Sequence, residues 1–288
     1  MALTEQHVEA FRRDGFVVVD GLLDDEERER YGRAVDEGVA GRTRDDDRSV
    51  SEKTRYEQSF QQCINLWEDY EDVRPLTFHP RIGEAAARLL GVDALRVWHD
   101  QALYKESGGR VTDPHQDQPY WPLEEADTIT AWIPFDGSSR ENGCMGYMAG
   151  THRIGLRKFA DIFTGTGYDL ESVPELRGGE FTFVEVPAGA VAFHHGLTVH
   201  RALPNQTATT RRVHTIIYFR DGCTRKHRSH PHPSVDRAGI EPGSPVASDV
   251  TPIAWPRDGL PVTPARPDPP LPGWPGWSGG GITTRRTG

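Results

Sequence analysis

The stretch GAVAFHHGLTVHRALPNQTATTRRVHTIIYFR occupies residues 189–220 and contains two runs of β-forming residues, at 189–194 and 210–220. The segment between the two runs holds Gly, Pro and Asn, which predicts two short strands joined by a loop. Four further runs of the same character lie upstream, at 94–105, 128–135, 144–148 and 181–186. Many short strands without a regular alternation of strand and helix predict a mainly β sandwich or jelly roll instead of a parallel sheet.

Helical patterns precede these strands. Residues 5–13 form one such segment, and residues 80–90 form another that begins with a proline and stops before Gly91. A third helix is predicted after Asp24, because the Asp24 carboxylate can cap a helix while Glu27 closes a capping box. The N-terminal part of the chain is therefore expected to contribute helices that flank the β structure.

Two segments lack both patterns. Residues 42–58 are charged and poor in apolar side chains, which predicts a loop. Residues 225–288 hold 13 of the 22 prolines, and each proline lacks the N–H that strand pairing needs. We therefore expect one β-rich domain over residues 1–224 and an irregular, proline-rich arm over residues 225–288 that packs on the same domain.

Composition and charge narrow the possible partners. The chain has 43 acidic against 33 basic side chains, a formal charge of -10, so its field repels nucleic acid and anionic lipid surfaces. The start of the sequence lacks the apolar core of a signal peptide, and no apolar run approaches the ~18 residues of a membrane span. We expect a cytoplasmic protein that binds a small molecule, without nucleic-acid or membrane partners.

The segment DPHQDQPYW, residues 113–121, contains the first candidate metal ligands. His115 and Asp117 lie two positions apart, so in an extended segment both side chains project from the same face. A turn in which Asp117 caps and His115 packs would give the same spacing. The third candidate ligand is His200, 83 positions beyond Asp117, and a jelly roll could place its strand opposite the first pair.

Two imidazoles and one carboxylate occupy one face of an octahedral ion and leave three positions open, a donor set that suits Fe(II) in oxygenases. Two open positions would take a chelating 2-oxo acid such as 2-oxoglutarate, and the remaining one O₂. His194 and His195 lie a few positions before the third candidate ligand and compete with it for the assignment.

Arg211 follows His200 by eleven positions, in a β-rich run. Its guanidinium is always charged and offers two parallel donors, which suits the distal carboxylate of 2-oxoglutarate. The neighbouring Arg212 would then face outward. A solvated strand edge is the alternative for this arginine pair.

Several separate motifs resemble one family, the phytanoyl-CoA dioxygenase family of Fe(II)/2-oxoglutarate-dependent oxygenases. They are FRRDGFVVVDGLLDDEE (11–27), ALYKESGGRVTDPHQDQPYW (102–121), TAWIPFDGSSRENGCMGYMAGTHR (130–153) and PAGAVAFHHGLTVHRALPNQTATTRR (187–212). The resemblance covers most of residues 8–220. It implies a double-stranded β-helix (jelly roll, cupin-like) for residues 1–224, with flanking N-terminal helices.

The resemblance also implies roles for single residues. His115, Asp117 and His200 resemble the family's iron ligands, and Arg211 the arginine that pairs with the co-substrate, with Arg212 as the other possibility.

Three more positions look like part of the co-substrate site. Trp132 stands where the family commonly has a bulky residue lining the co-substrate pocket, although a core tryptophan fits equally. Gln101 could hydrogen-bond 2-oxoglutarate or face solvent. Ala202 replaces a small hydroxyl residue that the family often has there, and Thr198 could supply the missing hydrogen bond.

The residues just after the ligand pair, Gln118, Tyr120 and Trp121, are candidates to shape the substrate pocket or to pack at the barrel rim. The long segment 155–179 and the proline-rich arm are hypothesised to close over the substrate. Within the arm, the tract KHRSHPHP at 226–233 predicts either a His-rich metal site or a solvated segment.

The implied function is oxidative. Asp117 favours hydroxylation of an unactivated C–H bond over chlorination, because related iron halogenases have a small residue at that position. The expected enzyme hydroxylates a small metabolite with release of succinate and CO₂. Desaturation, epoxidation or epimerisation at the same site, and a non-catalytic metal-binding and ligand-binding jelly roll, are the alternatives.

Overall fold

The computed structural model describes residues 3–157, 162 and 167–265. Six described α-helices occur, and all but the last lie in the N-terminal third: α1 (Glu5–Asp14), α2 (Asp25–Thr43), α3 (Leu66–Asp69), α4 (Arg74–Thr77), α5 (Pro80–Leu90) and α6 (Pro233–Asp236). The predicted capping box of α2 is confirmed, since the Asp24 carboxylate accepts from the Glu27 N–H at 2.8 Å and the Glu27 carboxylate accepts from the Asp24 N–H at 3.1 Å.

The strands form two antiparallel sheets. The strands are β1 (Phe16–Val19), β2 (Gln61–Ile64), β3 (Leu95–Tyr104), β4 (Thr112–His115), β5 (Thr128–Pro134), β6 (Met145–Tyr147), β7 (Thr182–Val184), β8 (Val191–His195), β9 (His200–Ala202), β10 (Val213–Arg220) and β11 (Ile253–Trp255). The larger sheet has the order β1-β8-β5-β10-β3-β11, with β2 also paired to β3, and the smaller has the order β4-β9-β6-β7. The fold is mainly β, a jelly roll with N-terminal helices.

Side chains alternate between two faces of the larger sheet. On β5, Ile129, Ala131 and Ile133 belong to the main core that also holds the apolar faces of the helices. The intervening Trp132 points to the other side, where it packs with Met145 of the smaller sheet. Successive residues of a strand point to opposite faces, so this alternation leaves helices on one side of the sheet and an interior between the sheets on the other.

A β-bulge interrupts this alternation in β3. Ile217 of β10 pairs with His99, but the next residue, Tyr218, pairs with Val97, so Trp98 is an extra residue in β3. An extra residue in one strand bends it locally and changes where its side chains point. His99 and Trp98 consequently both leave the helix-covered face, the first toward the interior and the second toward an apolar cluster with the arm.

The described part of the arm packs against the β domain. Val235, Ile240 and Val246 form an apolar cluster with Trp98 and Phe219. The arm is less irregular than expected, because it contains α6 and the strand β11 on the edge of β3. Residues 266–288 of the predicted arm lie outside the described residues.

Most of the charged segment 42–58 is a loop with one short 3₁₀ turn at Val50–Glu52, while its first two residues end α2. It is tied down, however, since Arg48 pairs with Asp46 at 2.7 Å and with Glu57 at 2.8 Å. None of the described helices combines the length and the apolar composition that crossing a membrane requires.

Candidate metal centre

Two neighbouring strands bring the candidate ligands together. His115 at the end of β4 is paired in register with His200 at the start of β9. Asp117 follows two residues later, and its Oδ1 lies 3.6 Å from the Nε2 atom of each of these histidines. One donor atom from each of the three residues lies within 4.8 Å of the other two. Side chains 83 positions apart in sequence can therefore bind one ion.

Backbone carbonyls fix the tautomers of both histidines. The Nδ1 atom of His115 lies 2.8 Å from the Asp113 carbonyl, and that of His200 lies 2.9 Å from the Thr198 carbonyl. A carbonyl can only accept, so each neutral ring carries its proton on Nδ1 and its lone pair on Nε2. Such outer contacts orient metal-binding imidazoles, and here they leave both Nε2 lone pairs for an ion.

The second oxygen of Asp117 is held separately. Its Oδ2 accepts from Nε2 of His194 at 3.1 Å and from the hydroxyl of Thr130 at 3.3 Å. The Tyr147 hydroxyl lies 3.5 Å from the other ring nitrogen of His194. His194, a competing ligand in the sequence, is thus a positioning residue that orients the carboxylate and leaves Oδ1 for the ion.

A glycine allows the Asp117 backbone to approach closely. The Gly196 carbonyl accepts from the N–H groups of Asp117 and Gln118, at 3.0 and 2.9 Å. A Cβ atom on Gly196 would collide with the Thr128 hydroxyl and lie 3.1 Å from the Trp121 ring. Only a residue without a side chain fits between these groups, so Gly196 helps to set the position of the carboxylate.

The protonation states suit a metal site. Burial alone would raise the pKa of Asp117, but His200 and hydrogen bonding with His115 and His194 outweigh it and lower that pKa well below its usual value. Burial, with His115 nearby, lowers the pKa of His200 to about 3. At neutral pH the site therefore presents a carboxylate and a neutral imidazole, the forms that bind metal ions.

Arg211 occupies the same interior. Its side chain is 4% exposed, and its guanidinium lies 5.2 Å from the centre of the Trp132 ring. One N–H group donates to the Gly143 carbonyl, but Nε has no hydrogen-bond partner, and no described acidic side chain pairs with the guanidinium. Burial lowers the pKa of Arg211 to about 10, so the guanidinium is still charged at neutral pH. Such a group calls for an anionic partner.

Arg212 points the other way. It forms a two-point ion pair with Asp136, at 2.7 and 2.6 Å, and a further ion pair with Asp36 at 2.5 Å. The structure therefore separates the two arginines, with Arg211 in the interior and Arg212 among surface carboxylates.

A cavity of about 570 Å³ joins these groups. This volume lies within the range of small-molecule sites. Besides the three candidate ligands and Arg211, the lining includes most of the residues that the sequence nominated for co-substrate or substrate: Gln101, Trp132, Tyr120 and Trp121.

Two nominated residues do not line this cavity. The Thr198 hydroxyl donates to the Gly15 carbonyl at 2.8 Å, where it holds the turn between α1 and β1. Gln118 is buried, and its side chain donates to the Glu125 carbonyl at 3.2 Å and accepts from the Thr128 hydroxyl at 2.6 Å. These hydrogen bonds stabilise the loop between Gln118 and β5. The structure therefore gives the side chains of Thr198 and Gln118 other partners and does not bring them to the described lining of the cavity.

The cavity also contains residues that the sequence did not nominate. Tyr56 of the charged loop, His99 of β3, and His230 and His232 of the arm all line it. For His99 no sequence signal existed, because the bulge at Trp98 decides its direction. In the tract 226–233, residues 227–231 are exposed, as the solvated alternative predicts, but His232 is half-buried against the Trp98 ring, 4.7 Å between ring centres.

Comparison with known proteins gives the family. The family model for phytanoyl-CoA dioxygenase (PhyH) matches residues 11–213. A phytanoyl-CoA dioxygenase of Arabidopsis thaliana is 28% identical over 48% of this chain, and the match spans 49% of that relative. The phytanoyl-CoA dioxygenase domain-containing protein 1 of Bos taurus is 25% identical over 74% of this chain and 89% of its own length.

Solved structures agree with this assignment. The non-haem α-ketoglutarate-dependent carbocyclase SnoK from nogalamycin biosynthesis is 27% identical, with a TM-score of 0.74 over 87% of this chain and 96% of its own. The α-ketoglutarate-dependent epimerase SnoN from the same biosynthesis is 25% identical, with a TM-score of 0.68 over 87% of this chain and 98% of its own. The family match covers more than half of the sequence, and the chain belongs to the phytanoyl-CoA dioxygenase family.

Proposed function

We propose that the protein is an Fe(II)- and 2-oxoglutarate-dependent oxygenase that hydroxylates an unactivated C–H bond of a small metabolite or natural-product intermediate. Succinate and CO₂ are the co-products. The observation that carries the proposal is the buried Arg211 guanidinium, which lacks an acidic partner in the described chain and lines the same cavity as the His115, Asp117 and His200 cluster.

The donor set fits Fe(II). His115 and His200 offer one Nε2 lone pair each, and Asp117 offers Oδ1, so three protein donors would hold the ion and leave positions for a chelating co-substrate and O₂. When bound, the metal supplies O₂ activation coupled to oxidative decarboxylation of 2-oxoglutarate. The relatives SnoK and SnoN are α-ketoglutarate-dependent proteins, which supports the same co-substrate here.

The chain's own residues bind and orient the co-substrate. Arg211 would pair with its distal carboxylate through two N–H groups while Trp132 supports the guanidinium plane. The Gln101 carbonyl oxygen accepts from the Gln62 amide at 2.5 Å, so the Gln101 amide N–H groups are available for a ligand. Thr112, the register partner of Ala202, also lines the cavity and would supply the hydroxyl that Ala202 lacks.

The retained Asp117 favours hydroxylation or a related oxidation over chlorination. The related carbocyclase and epimerase show that proteins of this fold reach other outcomes. Desaturation, epoxidation or epimerisation would use the same ligands and the same arginine. A non-catalytic metal-binding jelly roll is disfavoured, because such a protein has no need for a buried arginine prepared for a dicarboxylate.

Succinate formation from 2-oxoglutarate in air with added Fe(II) tests the proposal. His115→Ala should abolish turnover, because one of three metal ligands is lost. Arg211→Ala should raise the KM for 2-oxoglutarate by at least about 30-fold, since a buried anion loses its charged partner. The matched control Arg212→Ala should change that KM by less than about threefold, because its ion pairs lie at the surface. Equal turnover in the wild type, His115→Ala and Arg211→Ala would refute the mechanism.

A further inference from the structure

Three histidines outside the metal cluster form a second distinctive part of the cavity lining. His99 reaches it from β3 because of the bulge at Trp98, while His230 and His232 reach it from the arm. We name these three residues the histidine wall. Both arm histidines lie beyond residue 213, where the match to the family model ends.

Neighbouring backbone groups fix the tautomers of the histidine wall. Nδ1 of His99 lies 3.3 Å from the Asp100 carbonyl and must donate, so its Nε2 is an acceptor. Nδ1 of His232 accepts from the Ser234 N–H at 3.2 Å, so its Nε2 carries the proton and is a donor. Neither Nε2 has a hydrogen-bond partner among the described residues, and both side chains line the cavity. The wall thus offers one acceptor and one donor.

His230 serves a different purpose. It is exposed at the rim, and its Nε2 donates to the Tyr120 carbonyl at 2.9 Å. Tyr120 lies three residues beyond the candidate ligand Asp117. His230 therefore ties the arm to the metal-binding segment and holds His232 in place.

The two inner residues of the wall, His99 and His232, are uncharged at neutral pH. Burial lowers the pKa of His99 to about 4. Burial, and to a smaller extent the nearby His99, lowers the pKa of His232 well below its ordinary value. Both rings are consequently neutral hydrogen-bonding groups under physiological conditions.

The rest of the lining adds no charge for a substrate. Among the described residues that line the cavity, Asp117 and Arg211 are the only ones with a fixed charge, and the metal and the co-substrate would neutralise them. A charged substrate group inside this cavity would therefore have no charged partner among the described lining residues and would lose its hydration. In the same described lining, five aromatic side chains supply flat apolar surface: Tyr56, Phe60, Tyr120, Trp121 and Trp132.

We propose that the substrate is an uncharged, planar ring compound bearing hydroxyl groups, and that His99 and His232 recognise those hydroxyl groups. The inference rests on the proposed oxygenase function and names its substrate class. A hydroxyl group can donate to Nε2 of His99 and accept from Nε2 of His232, so the wall matches oxygen substituents and rejects an ionised carboxylate. Aromatic faces favour ring stacking over a flexible acyl chain.

Three related probes test the substrate class. Chrysophanol is a neutral dihydroxyanthraquinone with a methyl group, rhein carries a carboxyl group in place of that methyl, and methylanthraquinone lacks both hydroxyls. Each is titrated calorimetrically, without O₂, into protein saturated with Fe(II) and 2-oxoglutarate. Chrysophanol should bind at least about tenfold more tightly than rhein, because the rhein carboxylate would be buried without a partner.

Two substitutions test the histidine wall. His99→Phe removes the acceptor and keeps a ring of similar shape. His232→Asn removes the Nε2 donor, while the asparagine oxygen can still cap α6 as the His232 ring does. Each should weaken chrysophanol binding by about five- to tenfold, the effect of one hydrogen bond, and methylanthraquinone binding by less than about twofold. His227→Asn, an exposed histidine of the same arm outside the cavity lining, is the matched control and should change neither affinity.

The affinity of the same proteins for 2-oxoglutarate separates the two proposals. If wild-type protein fails to bind 2-oxoglutarate in the presence of Fe(II), the oxygenase function is overturned together with the substrate class that depends on it. If 2-oxoglutarate binds, three results would each overturn the substrate class alone. They are equal affinity for rhein and chrysophanol, equal losses for hydroxylated and unhydroxylated probes in the variants, and no binding of any probe.

Discussion

The metal-binding cluster and the histidine wall use the same residue type for different purposes. Around the cluster, backbone carbonyls direct the Nε2 lone pairs of His115 and His200 toward one carboxylate. In the wall, backbone groups give His99 and His232 opposite roles, acceptor and donor, with no carboxylate among the described lining residues beside them except Asp117 of the cluster. His99 has the same tautomer as His115 and His200, so what distinguishes the two candidate metal ligands is that the Nε2 atom of each lies 3.6 Å from one carboxylate oxygen of Asp117.

The two regions also differ in where their residues lie along the chain. The cluster lies entirely within residues 11–213, which match the family model, whereas the wall takes His230 and His232 from the arm beyond them. We infer that residues matched by the family model hold the metal and the co-substrate and that the arm beyond them contributes to substrate selection. If so, substitutions in the histidine wall should leave the affinity for Fe(II) unchanged.

The largest effect is expected from Asp117→Ala. The two histidines would lose the only carboxylate of the cluster, so the affinity for Fe(II) should fall by more than about 100-fold, beyond the loss typical of an outer contact. Calorimetric titration with Fe(II) in the absence of O₂ measures this change. Asp127→Asn, which alters a surface carboxylate paired with Arg220, is the control. Retention of wild-type Fe(II) affinity in Asp117→Ala would remove the distinction between cluster and wall.

A smaller effect is expected from His194→Phe. Asp117 would lose the donor to its Oδ2, and Fe(II) affinity should fall by about 10- to 100-fold. His194→Gln keeps an N–H donor and should recover part of the loss. A purely structural role would instead lower the melting temperature of both variants equally and leave their Fe(II) affinities alike, which would contradict the positioning role.

The smallest effect is expected from pH. The lowered pKa of His99, about 4, means that its neutral form persists well below the ordinary histidine value of about 6.5. Two nearby carboxylates, Asp100 and Asp117, oppose this lowering but do not outweigh burial. Chrysophanol affinity should therefore stay constant within about twofold between pH 8 and pH 6 and decline only as the pH approaches 4. A decline centred near pH 6.5 would show that the wall ionises as ordinary histidines do.

Much of the β structure was predictable from local patterns. All six sequence runs that were assigned as strands contain one, and the capping box at Asp24 begins α2 as expected. Two ligands of the metal-binding cluster could be predicted locally, because His115 and Asp117 lie two positions apart. Joining them to His200 needed the family resemblance, since register between β4 and β9 is a long-range property.

What escaped prediction depends on contacts between distant segments. Thr198 was nominated to supply the hydrogen bond that Ala202 lacks, but its hydroxyl donates to the Gly15 carbonyl. The sequence suggested His194 only as a competing ligand. Its contact with Asp117 depends on tertiary structure, in which β8 pairs with β5. Tyr56 lies in a charged segment, and ion pairs of Lys53 with Glu106 and of Arg55 with Asp113 connect that segment to the stretch that carries His115. None of these contacts leaves a periodic signal.

The bulge in β3 couples the docking of the arm to the direction of His99. Trp98, the additional residue, stacks on His232 and its carbonyl accepts from the Ser234 hydroxyl at 3.1 Å, so the arm docks on the same residue that turns His99 inward. Register with β10 resumes on both sides of Trp98. Deletion of Trp98 would thus remove the docking point of the arm and the inward direction of His99 together, although neither Trp98 nor His99 belongs to the strands that carry the candidate metal ligands.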